Sequence, residues 1–464
     1  MHSLLTPYSL SRSYNRIKRI LPIPFTIIFF APVLSSLAQT SKLQALIDSA
    51  DVPGLQLSYY NGSVVKNYSV GLSNVSSDTK VSDHTLFQAA SLSKPILGYI
   101  TLRLCDKGII DLDSPLLSYF KYLPLQSTKD ANLITARMIL CHASGIPPYP
   151  SNNIKLEFTP GTDWYYSAEG YKFLQKTIEH LTGKIYEQIA EEEVFVPLKM
   201  RRSSFVKPPN YTLLTASFYN QIGEEHATFQ PSNEASAAYS LITTAEDYQK
   251  FLWALMFTGG LKKSTYDQMI TEWFPNRTYN PDPKIGWGLG VALEKGEAET
   301  ALWHWGDNGS ARSFFIIYPK EKKCLVYFSN SENGLQITED VLKLFFGNRS
   351  YESVAWNGYG KWNDPIWQAR LSMFKSFLLK DTGTAMKTYR NIMQRDSDLL
   401  VTGATLNRLC FELENRKKYN LIIQLLNEHL VNHTSNIELW KRLAEAYQSI
   451  NDYASAEKAS RGLL

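Results

Sequence analysis

Phe87-Gln88-Ala89-Ala90-Ser91-Leu92-Ser93-Lys94-Pro95 lies where one pattern gives way to another. Upstream, Leu55 to Tyr59 and Val64 to Val70 read as strands, joined through Asn61-Gly62, a two-residue turn signal. Downstream, Ile96, Leu97, Ile100, Leu102 and Leu104 mark a mostly buried helix from Lys94 to Lys107, which Gly108 ends. Pro95 is tolerated only in a first helical turn, so Ser91 stands at or near the helix start. Residues three apart share a helix face, which lets the Lys94 amine reach the Ser91 hydroxyl. A helix N-terminus also presents unpaired N–H groups and positive potential to a carbonyl oxygen. The stretch therefore predicts a serine nucleophile served by a neighbouring lysine.

The bare Ser-x-x-Lys pattern is not specific. It begins also at Ser63, Ser77, Ser118, Ser204, Ser372 and Ser455. None of these combines a strand-to-helix junction with a buried helix. Two downstream elements complete the chemistry at Ser91. Tyr166, in Tyr166-Ser167-Ala168, can shuttle a proton, and His304, in His304-Trp305-Gly306, can line an acyl pocket from a strand.

Bulk composition narrows the classes. The 464 residues are 44% hydrophobic and 20% charged, an ordinary globular balance. The net charge of +4 comes from Arg12, Arg16, Lys18 and Arg19, and no acid lies among the first thirty-eight residues. The remaining chain is neutral, which argues against a nucleic-acid partner or an anionic membrane surface. That basic cluster precedes an apolar run from Ile20 to Leu37, and Ser36-Leu37-Ala38 supplies small residues. The reading is a secretory signal over 1–38, cut after Ala38, and a secreted or periplasmic protein with no membrane span left after cleavage. The alternative is an uncleaved anchor, but Pro22, Pro24 and Pro32 interrupt the run. Cys105, Cys141, Cys324 and Cys410 have the spacing of neither a zinc site nor a disulfide framework and read as free thiols. His84, His180 and His226 lack metal-ligand spacing, and His142 reads as ordering its own loop.

After a mostly helical middle, strands return at Trp287 to Leu293, Ser313 to Tyr318 and Cys324 to Ser329, the last two turned by Pro319-Lys320-Glu321-Lys322. The expected fold is α+β: one antiparallel sheet built from both ends of a catalytic domain over 39–350, with an inserted helical lobe. From about Tyr351 glycine becomes scarce and helical periodicity dominates. Leu406 matches Trp440, Leu409 matches Leu443 and Tyr419 matches Tyr453, a repeat of thirty-four. Residues 351–464 are thus expected to form a tetratricopeptide-like tail, or a plain helical cap.

These blocks together carry a family resemblance. From about Val52 to Gly334 the chain resembles the serine β-lactamase-like superfamily, in its class C β-lactamase, DD-peptidase and esterase branch. The nucleophile block is followed by Gly108-Ile109-Ile110-Asp111-Leu112-Asp113-Ser114-Pro115. Next comes Leu140-Cys141-His142-Ala143-Ser144-Gly145, similar to the family's Leu-x-His-x-Ser-Gly loop. Pro160-Gly161-Thr162, Tyr166-Ser167-Ala168, Pro197-Leu198-Lys199-Met200 and His304-Trp305-Gly306 complete the order.

The resemblance implies a hydrolase without metal or cofactor that works through a covalent acyl-enzyme. It makes Ser91 the nucleophile, Lys94 a proton acceptor or stabiliser, Tyr166 a base, and His304 a pocket residue supporting Tyr166 or a substrate carboxylate. The backbone N–H groups of Ser91 and Asp307 would form the oxyanion hole. Lysine and tyrosine both titrate near ten in water, and placing them together is expected to let the cation depress the tyrosine's pKa. Gly306, Asp307 and Ala168 are the expected substrate-binding positions.

Two departures bear on the substrate. Ala168 stands where the family commonly has asparagine, and His304 where it often has lysine. Both lean toward an ester or small amide, as in an esterase or D-aminoacyl amidase. A true β-lactamase or DD-carboxypeptidase is the alternative enzyme, and a non-catalytic ligand-binding module the rival from another class. A small acyl or peptide substrate is the expected partner, with a protein partner at the C-terminal helices.

Overall fold

A computed structural model describes residues 30–149, 151–226, 233–274, 278, 282–400 and 402–462, with side chains from residue 37 onward except 396–400. The basic and apolar leader up to residue 29 lies outside the described residues. The first helix, Phe30–Ser49, continues across the expected cut at Ala38. No helix among the described residues is long and apolar enough to cross a membrane.

Strands from both ends of the domain form one eight-stranded sheet. In chain order they are β1 (Gly54–Tyr60), β2 (Val65–Asn74), β3 (Thr79–Lys80), β6 (Ile285–Trp287), β7 (Ala292–Lys295), β8 (Thr300–Asp307), β9 (Arg312–Tyr318) and β10 (Lys323–Ser329). A separate pair joins β4 (Phe87–Gln88) to β5 (Ile242–Thr243). The spatial order is β3-β2-β1-β10-β9-β8-β7-β6, so β1 pairs with β10 and the two ends of the domain meet at the sheet centre.

The sequence explains why β9 and β10 hold the middle. Both are mostly apolar and buried at nearly every position, and both are covered on two faces. Phe315, Ile317, Val326 and Phe328 point into the helical lobe. Phe314, Ile316, Leu325 and Tyr327 point to the opposite layer, against Leu43, Ile47, Val341 and Leu342. Each such side chain contributes about 1.5–3 kcal/mol by leaving water. The inserted lobe lies between β3 and β6 and includes the helices Ser93–Asp106, Ala168–Thr182 and Ala245–Met256.

Two local expectations are corrected. Trp287 to Leu293 is not one strand: β6 ends at Trp287 and β7 starts at Ala292. Gly288 and Gly290 turn the chain between them, Gly290 at a φ of +87°. The first hairpin has a four-residue loop, because Tyr60 pairs with Val65. Asn61 closes it by accepting from the N–H groups of Ser63 and Val64, both at 2.9 Å.

The tail helices have a core of their own that includes Leu371, Phe374, Leu409, Leu425 and Leu443. Helices start at Gly403 and Tyr419 in one pair and at Ile437 and Tyr453 in the next, an offset of 34 residues at both. The tail is docked on the rest of the chain. Ile222 enters its core, and Lys375–Asp51, Arg408–Glu332 and Arg416–Glu224 are ion pairs across the join. Residues 351–362 pack elsewhere, against the sheet: Tyr351 is buried with Val341 and Tyr318, and the Ser353 N–H donates to Glu294 at 2.9 Å. The four cysteines are free; burial pushes the thiols of Cys105, Cys324 and Cys410 up to about 12.

Candidate active site

The turn that carries Ser91 is built by long-range hydrogen bonds. Ala89 N–H donates to the Leu241 carbonyl at 2.8 Å. Ala90 takes a φ of +50°, a left-handed conformation that costs a β-carbon residue about 1–2 kcal/mol. The Ser93 hydroxyl donates to the Ala90 carbonyl at 2.7 Å and accepts from Leu241 N–H at 3.0 Å, which holds that conformation. Ser91 follows, half-buried in a single 3₁₀ turn that leads into Ser93–Asp106.

Lys94 is 1% exposed. Its Nζ donates to Ser91 Oγ at 3.1 Å and to the Ala238 carbonyl at 2.8 Å, and lies 4.7 Å from the Tyr166 ring centre. Among the described residues no carboxylate offsets its charge, so burial alone lowers its pKa to about 7. A neutral amine beside a serine hydroxyl can accept its proton.

Tyr166 faces Ser91. Tyr165 N–H donates to the His142 carbonyl at 2.8 Å. The Tyr166 ring is half-buried while its hydroxyl is enclosed. That hydroxyl has no partner of standard geometry, yet it is close enough to Ser91 for their contact to act on its pKa. Burial wins and raises the phenol's pKa well above ten. The expected depression by Lys94 is therefore corrected: its Nζ lies over the ring face, and desolvation of the buried oxygen is the largest effect on the phenol. In the resting site Lys94 has the lowered pKa that a base requires, and Tyr166 is a protonated group able to donate.

His142 does more than order its loop. Its backbone has a φ of +61°, its Nδ1 accepts from Ser167 N–H at 3.1 Å, and its ring centre lies 4.3 Å from that of Tyr166. Burial first, then the charges of Lys94 and His304, lower its pKa well below 6.5. The Leu-x-His-x-Ser-Gly block carried the signal for it, but nothing local showed that its ring would back Tyr166.

His304 is completely buried. Its Nδ1 donates to the Trp305 carbonyl at 2.7 Å, and its ring centre lies 6.2 Å from that of Tyr166. Burial, with the Lys94 charge, lowers its pKa to about 3, so it is neutral. A neutral His304 cannot hold a carboxylate by charge; it stands behind Tyr166.

Gly306 must be glycine. A Cβ there would stand 2.1 Å from Ser313 Oγ and 2.4 Å from the Ala89 carbonyl oxygen. This close approach brings the end of β8, and Asp307 with it, against the residues just before Ser91. Ser313 Oγ ties the same carbonyl at 2.8 Å. Ala168 opens its helix beside Glu169, Lys172, Ala238 and Tyr239, which line a cavity of about 250 Å³. The structure thus gathers Ser91, Lys94, Tyr166, His304 and Gly306 around one point, with Ala168 at its margin. Among the described residues, no group of three or more His, Cys, Asp or Glu side chains is arranged to hold a metal.

The chain that places Ser91, Lys94 and Tyr166 between the helical lobe and the sheet matches a known family. The Beta-lactamase family model covers residues 40–343. This chain belongs to that family.

Penicillin-binding protein 4* of Bacillus subtilis is 23% identical over 333 residues, 62% of this chain and 70% of that protein. Protein flp of Staphylococcus aureus is 23% identical over 338 residues, 67% of this chain and 66% of that protein. Among solved structures, SurE aligns with a TM-score of 0.60 at 20% identity, over 69% of this chain and 78% of that one. A D-stereospecific amidohydrolase from Streptomyces sp. aligns at 0.55 and 21% identity, over 68% and 99%. The Beta-Lactamase/D-Alanine Carboxypeptidase from Pseudomonas syringae aligns at 0.58 and 15% identity, over 68% and 98%. These structures share the fold of this family member.

Proposed function

We propose that this protein is a secreted or periplasmic serine hydrolase that cleaves an ester or a small amide through an acyl-enzyme on Ser91. The observation that carries the reading is the 3.1 Å contact from a buried Lys94 amine, its pKa lowered to about 7, to the Ser91 hydroxyl. Lys94 accepts the Ser91 proton as Oγ attacks the carbonyl, and the N–H groups of Ser91 and Asp307 receive the oxyanion. The proton then passes to the leaving group, with Tyr166 as the shuttle. Water enters, is deprotonated by the same pair and releases the acid.

Ala168 in place of asparagine and a neutral His304 favour an esterase or a D-aminoacyl amidase over a β-lactamase or DD-carboxypeptidase. The likeness to a D-stereospecific amidohydrolase is in keeping with the amidase branch. The decisive experiment is intact mass spectrometry after a fluorophosphonate probe, with Ser91→Ala in parallel. One adduct on the wild type alone supports the assignment, and an adduct that persists in Ser91→Ala refutes it. Hydrolysis of cephalosporins far faster than of short acyl esters would reverse the substrate ranking.

The thirty-four-residue offset of the tail supports a tetratricopeptide-like protein-binding role. Truncation after residue 364 separates the possibilities. Retained hydrolysis with a lost partner supports recruitment, and lost solubility supports a cap.

A further inference from the structure

The chain beyond the residues that match the family, 40–343, returns to the active site. The short helix Glu352–Asn357 brings the Trp356 ring centre to 5.4 Å from that of Trp305, and Trp305 lies 5.1 Å from Tyr166. Two residues past that helix, the Tyr359 hydroxyl donates to Asp307 Oδ2 at 2.6 Å. The other oxygen, Oδ1, accepts from Gly309 N–H at 2.8 Å. The Arg312 guanidinium pairs with Oδ2, and its Cζ lies 5.1 Å from the Tyr359 ring centre.

Asp307 directly follows Gly306, which is pressed against Ala89 and Ala90. The end of β8 is therefore pinned on one side by the nucleophile turn and on the other by a carboxylate whose two oxygens are held by different groups. We propose that Tyr359 is a positioning residue: by holding the Asp307 carboxylate it fixes the direction of the Asp307 backbone N–H, the oxyanion donor opposite Ser91. The proposal rests on the serine-hydrolase reading above.

The physics has two parts. An oxyanion donor works when it is aimed before the charge develops, so a swinging Asp307 would waste it. A bare carboxylate near a developing oxyanion would also repel it. Arg312 and the Tyr359 O–H take up that negative charge. Burial and the neighbouring Asp307 keep the Tyr359 phenol protonated, so it remains a donor at working pH.

The test is the rate at which a fluorophosphonate labels Ser91, followed by intact mass in the full chain. The probe's phosphoryl oxygen occupies the oxyanion position, so the rate reads donor alignment without a known substrate. Tyr359→Phe keeps the ring and removes only the hydroxyl. It should slow labelling about tenfold, the scale of one hydrogen bond to a charged group expressed in the transition state. Its melting temperature and the pH midpoint of labelling, which report folding and Lys94, should not move. Trp362→Phe is the control: it removes a 2.7 Å bond from the same segment to Asp340 and should label at the wild-type rate. Wild-type labelling of Tyr359→Phe overturns the proposal, and so does equal slowing of both variants, which would report only a loosened segment. A wild type that acquires no Ser91 adduct overturns the serine-hydrolase reading, and this proposal with it.

Discussion

Replacing Lys94 with methionine should abolish Ser91 labelling and, at pH 7, make the fold more stable. The unfolded chain binds the lysine proton below a pKa of 10.5, whereas the folded chain binds it only below about 7. Between those values the unfolded state holds the extra proton, so stability rises with pH; below 7 the whole penalty stands. The 1% exposure of Lys94 leaves little solvent to screen it. Integrating the shift gives a penalty of about 4 kcal/mol at pH 7 and about 2 kcal/mol at pH 9. Methionine removes that penalty but also the hydrogen bonds to Ser91 and the Ala238 carbonyl, each worth about 1 kcal/mol. The variant should thus gain about 2 kcal/mol at pH 7 and almost nothing at pH 9. Urea unfolding of both proteins at the two pH values measures this, and the pH-dependent part does not depend on the hydrogen-bond terms. An equal difference at pH 7 and pH 9 would refute the argument, because it would mean that Lys94 keeps an ordinary pKa in the folded chain.

Three other outcomes follow from the same geometry. Fluorophosphonate labelling of Ser91 should rise with pH below about 7 and flatten above it, as Lys94 loses its proton; a flat profile from pH 5 to 9 would remove Lys94 as the base. Tyr166→Phe should lower turnover about 10²–10⁴-fold, the usual range for a lost proton-transfer group, while deletion of its enclosed hydroxyl leaves the melting temperature level or higher. Gly306→Ala forces a methyl into Ser313 and the Ala89 carbonyl and should cost about 1–3 kcal/mol, read as a lower melting temperature with slower labelling.

Much of this architecture was legible in the sequence, because its signals are local. The apolar runs Ser313 to Tyr318 and Cys324 to Ser329 mark strands covered on both faces, and the turn at 319–322 pairs them. Pro95 and the buried helix behind it place Ser91 correctly. The failures concern quantities set by distant segments. The Tyr166 phenol is raised rather than lowered because Trp287, Trp305 and His142 pack around it from other parts of the chain. Trp287 to Leu293 looked like one strand because its alternation continues through two glycines that in fact reverse it. Tyr359 falls among residues whose helical pattern assigned them to the tail, and no local pattern links it to Asp307.

The pairing of β1 with β10 sets an order of events in the life of the chain. Leu57 lies opposite Tyr327, so the centre of the sheet closes only when almost the whole catalytic domain is available. Contacts so far apart in sequence form late and slowly. Ser91 and Lys94 come from the early half, and the β8 strand that faces them comes from the late half. During synthesis Ser91 and Lys94 are therefore made well before the strand that packs against their turn. The surroundings of Ser91 are therefore complete only once the sheet is complete.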